Sequence, residues 1–191
     1  ARQSARYADE TSLDSSWTPQ WSALKGYWQM DGNVTDSSST GITGTATGGL
    51  SFTTESKVGS HAGVFDGTDD DIDLGNPGVF SGLSAITYML WVYIPTDWSS
   101  PAGEFNIILD KCCTGGFVVG IQAKSAGSSE MEAVVQTTGA VFASFVDFDE
   151  YKGGWHHMAV SYDGANIRTY FDGELKDTEP QTGTLFVSVD N

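Results

Sequence analysis

The chain has 191 residues and a formal net charge of −16, from 9 Lys and Arg against 25 Asp and Glu. That balance excludes a general binder of nucleic acid or anionic membrane, because both present phosphates that such a surface repels. One domain is the default at this length, with a core that needs no staples, and 23 Gly with 12% aromatic residues point to a sandwich of short apolar strands joined by many turns.

Residues 1–16, ARQSARYADETSLDSS, contain neither Gly nor Pro and read as a short N-terminal helix. Its start is poor. Ala1 offers no cap, and Arg2 and Arg6 set positive charge at the positive end of the helix dipole. The helix is therefore expected to begin upstream of this chain. Trp17-Thr18-Pro19-Gln20-Trp21 ends it, because Pro disfavours α geometry in the residue before it. A helical stub and linker over 1–23 thus precedes a main domain over 24–191.

The first strand is expected over Leu24–Met30, closed by the turn Asp31-Gly32-Asn33 and a polar loop at Thr35–Thr40. Gly44–Thr54 forms a weak strand, and Ala62–Asp66 and Asp71–Leu74 form two short ones joined by Gly67-Thr68-Asp69-Asp70. Ile86–Ile94 is apolar at both parities, which predicts a central strand covered on both faces. Pro95 stops it, and Thr96–Glu104 is a loop carrying Trp98. Phe105–Leu109, Gly116–Ala123, Met131–Thr137 and Val141–Phe145 continue an antiparallel series, and Asp147–Gly154 is an acidic loop. Trp155–Tyr162, the turn Asp163–Asn166, Ile167–Phe171, the tight turn Asp172-Gly173 and Glu174–Thr178 then form a meander. Asp-Gly between two apolar runs is the strongest short-range hairpin signal. Leu185–Val189 is the last strand. Such a meander needs a second sheet to bury its apolar face, so the expected fold is all-β, an antiparallel two-sheet sandwich behind a short helix.

No apolar run approaches the ~18 residues of a membrane span. Retaining glycosidases need two carboxyls ~5–5.5 Å apart. Glu130 and Glu132 share a strand face but lack the patterned carboxylates of such enzymes, Asp147 and Asp149 fall in a loop, and no Gly-x-Ser-x-Gly is present. The chain therefore does not read as an enzyme. His156 and His157 are adjacent and point to opposite faces. Sugar recognition needs exposed flat rings, and Trp98 in its loop and Tyr93 at its strand end are the candidates; Trp28, Trp91 and Trp155 are expected in the core. Calcium takes six to eight oxygens. Asp31, Asn33 and Asp36 share one loop and Asp66, Asp69, Asp70 and Asp71 another, so Asp31, Asn33, Asp36 and Asp66 read either as ligands of a structural calcium or as plain turn formers. Cys112 and Cys113 are neighbours whose Cα atoms sit ~3.8 Å apart, below the ~4.4–6.8 Å of an ordinary disulfide. They are two thiols in the turn between Asp110 and Gly116, or a strained, easily reduced vicinal bridge.

WHHMAVSYDG followed by IRTYFDGEL resembles the signature hairpin of the laminin-G-like, concanavalin-A-like jelly-roll family. LKGYWQMDGNVTDSSS, GVFDGTDDDIDLGN and ITYMLWVYIP resemble three earlier pieces of that family in the same order, so the likeness runs from about Leu24 to Asp190. It implies a jelly roll, a structural calcium near such loops, and further strands beside the first one, one of them typically an Ile-Asp-Asp/Glu-Val-Arg run. This sequence ends before them. Truncation or processing is favoured over closure by the N-terminal segment or strand donation from a partner. The fold itself hosts lectins, adhesion modules, hydrolases and spacers. ARQSARYADETSL resembles the segment after the hydrophobic helix of type IV pilins and pseudopilins. Together these imply a non-catalytic recognition or adhesion domain, extracellular or at the cell surface, as the head of a pilin-like fibre subunit. Its partners would be a glycan or cell-surface protein and identical or related subunits. The alternative is a carbohydrate-binding module of a secreted degradative enzyme, and behind that a glycoside hydrolase.

Overall fold

The structure, a computed structural model, describes residues 21–98, 106–113, 116–123, 130–137, 141–147 and 149–187. Its strands are β1 Thr45–Thr47, β2 Ser51–Thr53, β3 Ala62–Val64, β4 Asp71–Asp73, β5 Ile86–Ile94, β6 Asn106–Cys113, β7 Gly116–Ala123, β8 Glu130–Gln136, β9 Val141–Asp147, β10 Gly154–Tyr162, β11 Asn166–Phe171 and β12 Glu174–Pro180. Two antiparallel four-stranded sheets, ordered β12-β11-β10-β5 and β6-β7-β8-β9, make the sandwich. Side chains alternate across each strand. Tyr88, Met158, Val160, Tyr162, Ile167 and Phe171 of the first sheet meet Ile121, Met131, Ala133, Val135 and Val146 of the second in one core, with Leu185 joining them. A polar seam crosses it. The Thr169 hydroxyl donates to Ser144 Oγ at 2.9 Å, and Ser144 Oγ donates to Asp177 Oδ2 at 2.8 Å, tying β9 to β11 and β12.

The stretch before β5 forms two nested pairs, β1 with β4 and β2 with β3. Gly48 turns the chain between β1 and β2 at φ +71°, and a Cβ there would come within 2.2 Å of the Asp69 carbonyl oxygen.

Several strand expectations need correction. Leu24–Met30 is not a strand; a single bridge joins Trp28 to Asp36. Gly44–Thr54 is two strands, because Gly48-Gly49 breaks it. β6 runs on through Asp110 and Lys111 to Cys113, so the cysteines end a strand, opposite Phe117 and Gly116, instead of forming a turn. Their side chains, and with them the vicinal bridge, lie outside the described residues. The acidic loop contains a 3-10 turn, Asp149–Tyr151, whose Tyr151 stacks on Phe171. Of the expected Leu185–Val189 strand, Leu185 bridges Thr137 and donates its N–H to the Leu83 carbonyl at 2.9 Å, and residues 188–189 lie outside the described residues. β5 pairs with β10 and stands at one end of the described sheet. It is not covered on both faces, since Met89 is 59% and Tyr93 49% exposed. The expected helix over 1–16 and its pilin-like reading lie outside the described residues. Among those residues, no helix is long and apolar enough to cross a membrane.

Candidate functional site

Because Tyr88, Met158, Val160 and Phe171 face the core, the residues between them on β5, β10 and β11 must face away. The register then builds one continuous outer surface. Tyr93 stands beside Trp155, Trp91 beside His157, and Met89 beside Ala159. Tyr170 follows beside Ala159, and Leu175 of β12 beside Tyr170. Tyr93 and Trp155 meet edge to face with ring centroids 5.8 Å apart, and Trp91 and His157 do so at 5.2 Å. Lys57, from the loop between β2 and β3, sets its ammonium 5.0 Å from the Trp91 ring centre. At one margin Arg168 pairs with Asp163, and that hydrogen bond holds the Asp163 carboxyl down at about 2. The surface is continuous across the sheet and rich in rings, and its margin carries charge. Rings of this kind combine apolar area with polar tips, which suits ligands with both CH faces and hydroxyls.

The turn Asp172-Gly173 holds this surface in place. Asp172 adopts φ 49°, takes the His157 backbone N–H at 2.9 Å on one oxygen and lies 2.7 Å from His156 Nδ1 with the other. A carboxylate only accepts, so His156 donates from Nδ1. Burial raises the Asp172 carboxyl's pKa, but the His156 and His157 bonds outweigh it and leave the pKa below the ordinary value. His156, on the inner parity, also meets the Tyr151 ring edge to face. His156 and His157 thus take opposite faces, and the inner one anchors the strand that presents the outer one.

Of the two ring candidates, Tyr93 belongs to this surface. Trp98 is partly buried and packs against the core cluster. Trp91 and Trp155, expected in the core, stand on the opposite face. Ile86–Ile94 is apolar at both parities because one parity fills the core and the other makes this surface. The shared parity of Trp155 and His157 was the available signal for it. Trp28 lies apart, its indole N–H donating to the Ile42 carbonyl at 2.7 Å.

The acidic residues divide. Asp31 Oδ1 accepts from Ser60 N, Ser60 Oγ and His61 N at 2.6–2.8 Å, and the Ser60 hydroxyl above all holds its pKa down. Asn33 Oδ1 accepts from Thr35 N at 2.9 Å. Asp36 is buried, and burial alone would raise its pKa. Bonds from the Ser38 and Tyr27 N–H groups and the Thr40 and Ser38 hydroxyls drive it far below the usual range instead. Asp31 thus ties its turn to the far end of the loop between β2 and β3, Asn33 bonds within its own loop, and Asp36 gathers Tyr27 and Ser38. Asp66, Asp69 and Asp70 bring oxygens within 4.8 Å of one another, and Asp70 Oδ1 is buried with no hydrogen-bond partner. On the second sheet, Glu132 accepts from Gln122 Nε2 at 2.8 Å, and Glu130 stands opposite Asp147.

Comparison with curated proteins finds no match. Among solved structures the chain is similar to domain 4 of AbnA, a GH43 extracellular arabinanase from Geobacillus stearothermophilus, determined in complex with arabinotriose. The TM-score is 0.52 at 20% identity, covering 86% of this chain and 78% of that one. At that identity the likeness is one of fold. The family model described as the concanavalin A-like lectin/glucanases superfamily matches residues 66–191, and it covers both sheets of the sandwich and the whole ring-bearing surface. The chain belongs to that superfamily.

Proposed function

We propose that this domain binds carbohydrate without cleaving it, outside the cell, through the outer face of β5 and β10. The observation that carries the reading is the pairing of Tyr93 with Trp155 and of Trp91 with His157 on a surface that turns its back on the core. Rings held rigidly by a sheet lose little freedom on binding, so their stacking energy goes into affinity. The similar arabinanase domain, solved with arabinotriose, supports the same reading. It favours a carbohydrate-binding module over the fibre head; the pilin-like likeness of residues 1–16 has no counterpart in the comparisons. Titration calorimetry with an oligosaccharide found on a glycan array tests it. Tyr93→Ala and Trp155→Ala are each expected to weaken binding about tenfold, equal to ~1.4 kcal/mol, with unfolding temperature nearly unchanged. Unaltered binding in both variants contradicts the site, and release of reducing ends from any bound glycan contradicts the non-catalytic reading.

A structural calcium is proposed on Asp66, Asp69 and Asp70, with Asp66 the one member of the original ligand set retained. The buried, unpartnered Asp70 Oδ1 supports it, since an uncompensated carboxylate oxygen is costly. Calcium is expected to raise the unfolding temperature, and Asp70→Asn to remove that increment. Identical melting curves in calcium and in chelator contradict it.

A further inference from the structure

The surface holds a cation that has no carboxylate partner among the described residues. Arg168 pairs with Asp163, Lys152 with Asp149 and Lys176 with Glu174. Lys57, exposed in a chain of net charge −16, has no ion pair among the described residues and lies against Trp91 instead. Its position is built. The loop between β2 and β3 is closed by Ser56 Oγ donating to the Gly59 carbonyl at 3.2 Å. Its far end is fastened by Asp31, which takes the Ser60 and His61 N–H groups. Gly59 runs at φ +80°, and a Cβ on it would crowd the Asp31 carboxylate at 3.3 Å. The strand pairing of β2 with β3 holds both ends of this loop together.

We propose that this surface selects an acidic glycan, with one sugar unit stacked on Tyr93 and Trp155 and the carboxylate or sulfate of the chain received by Lys57. This rests on the carbohydrate-binding reading and narrows its ligand class. Trp91 lies two residues from Tyr93 on the same face of β5, about 6.7 Å along the strand, and the Lys57 ammonium lies against the Trp91 ring. The overall negative charge does not forbid the contact. At physiological salt the screening length is about 8 Å, so repulsion from the remote carboxylates is damped while the contact charge is not. A charge-assisted hydrogen bond is worth about twice a neutral one. It would therefore separate an acidic sugar from its neutral counterpart.

The test uses an array that pairs each uronate oligosaccharide with its methyl ester and each sulfated oligosaccharide with its desulfated form. Calorimetry on the best pair then compares the native chain, Lys57→Met and Tyr93→Ala. The acidic member is expected to bind about tenfold tighter than its neutral twin. Lys57→Met should abolish that preference, while Tyr93→Ala weakens both members alike. Whether the uronate or the sulfate series shows the preference identifies the anion. Equal binding of acidic and neutral twins, or a preference that survives Lys57→Met, overturns this inference and leaves the carbohydrate-binding reading standing. Binding of neither series overturns both.

Discussion

Asp36 reads in the sequence either as a calcium ligand or as a turn former, and its two oxygens organise a loop. Tyr27 and Ser38 donate backbone N–H groups to Oδ1 at 2.9 and 2.7 Å, and Ile42 donates to Oδ2 at 2.9 Å. Asp36→Ala strands those donors, and a buried donor left unmade costs about 1–3 kcal/mol. A loss of about 2–3 kcal/mol in urea-unfolding free energy is the expected result. The same bonds set the acid limb of stability. Asp36 and Asp172 have folded pKa values below the ordinary 3.8. Their contribution is therefore complete above that ordinary value and is lost as pH falls below it through the folded values. Unfolding free energy should be flat on their account above about pH 5 and should drop more steeply below pH 3.8 in the native chain than in Asp36→Ala. In the core, Met158 is 1% exposed, and Met158→Ala should cost about 2–5 kcal/mol, depending on how far the site collapses.

At the scale of the element, what could be read from the sequence depended on whether local chemistry alone decides. The β10–β11–β12 meander was legible because Asp172-Gly173 permits the positive φ that a tight turn needs. The β1–β2 break was less so, since Gly48-Gly49 sits among small residues that also suit a weak strand. β6 was cut short because Asp110 and Lys111 look like a boundary, yet a strand accepts polar residues when the ladder continues beneath them. The candidate site was half legible. Tyr93 was placed by its position at a strand end, but Trp91 and Trp155 were assigned to the core because parity does not say which face a second sheet covers. Only the two-sheet packing decides that. The Gly48 turn offers a check: Gly48→Ala meets the Asp69 carbonyl and strains a positive φ. It should lower the unfolding temperature by several degrees, whereas Gly67→Ala, with no atom within 4 Å of the added Cβ, bears the φ strain alone and should lower it less.

Across the whole molecule, one sheet uses both of its faces. Its inner face joins β6–β9 in the core, and its outer face carries rings that burial does not require. Leu175 at 53%, Met89 at 59% and Tyr93 at 49% exposure would be poor choices for a surface with no partner. A titration followed by 1H–15N NMR tests this central claim most directly, with the glycan chosen by array. The account predicts that the indole N–H signals of Trp155 and Trp91 and the amides of β5 and β10 shift together, in proportion to occupancy. Shifts confined to the outer face of the other sheet, around Glu132 and its exposed neighbour Phe145, with Trp155 and Tyr93 unmoved, would contradict it.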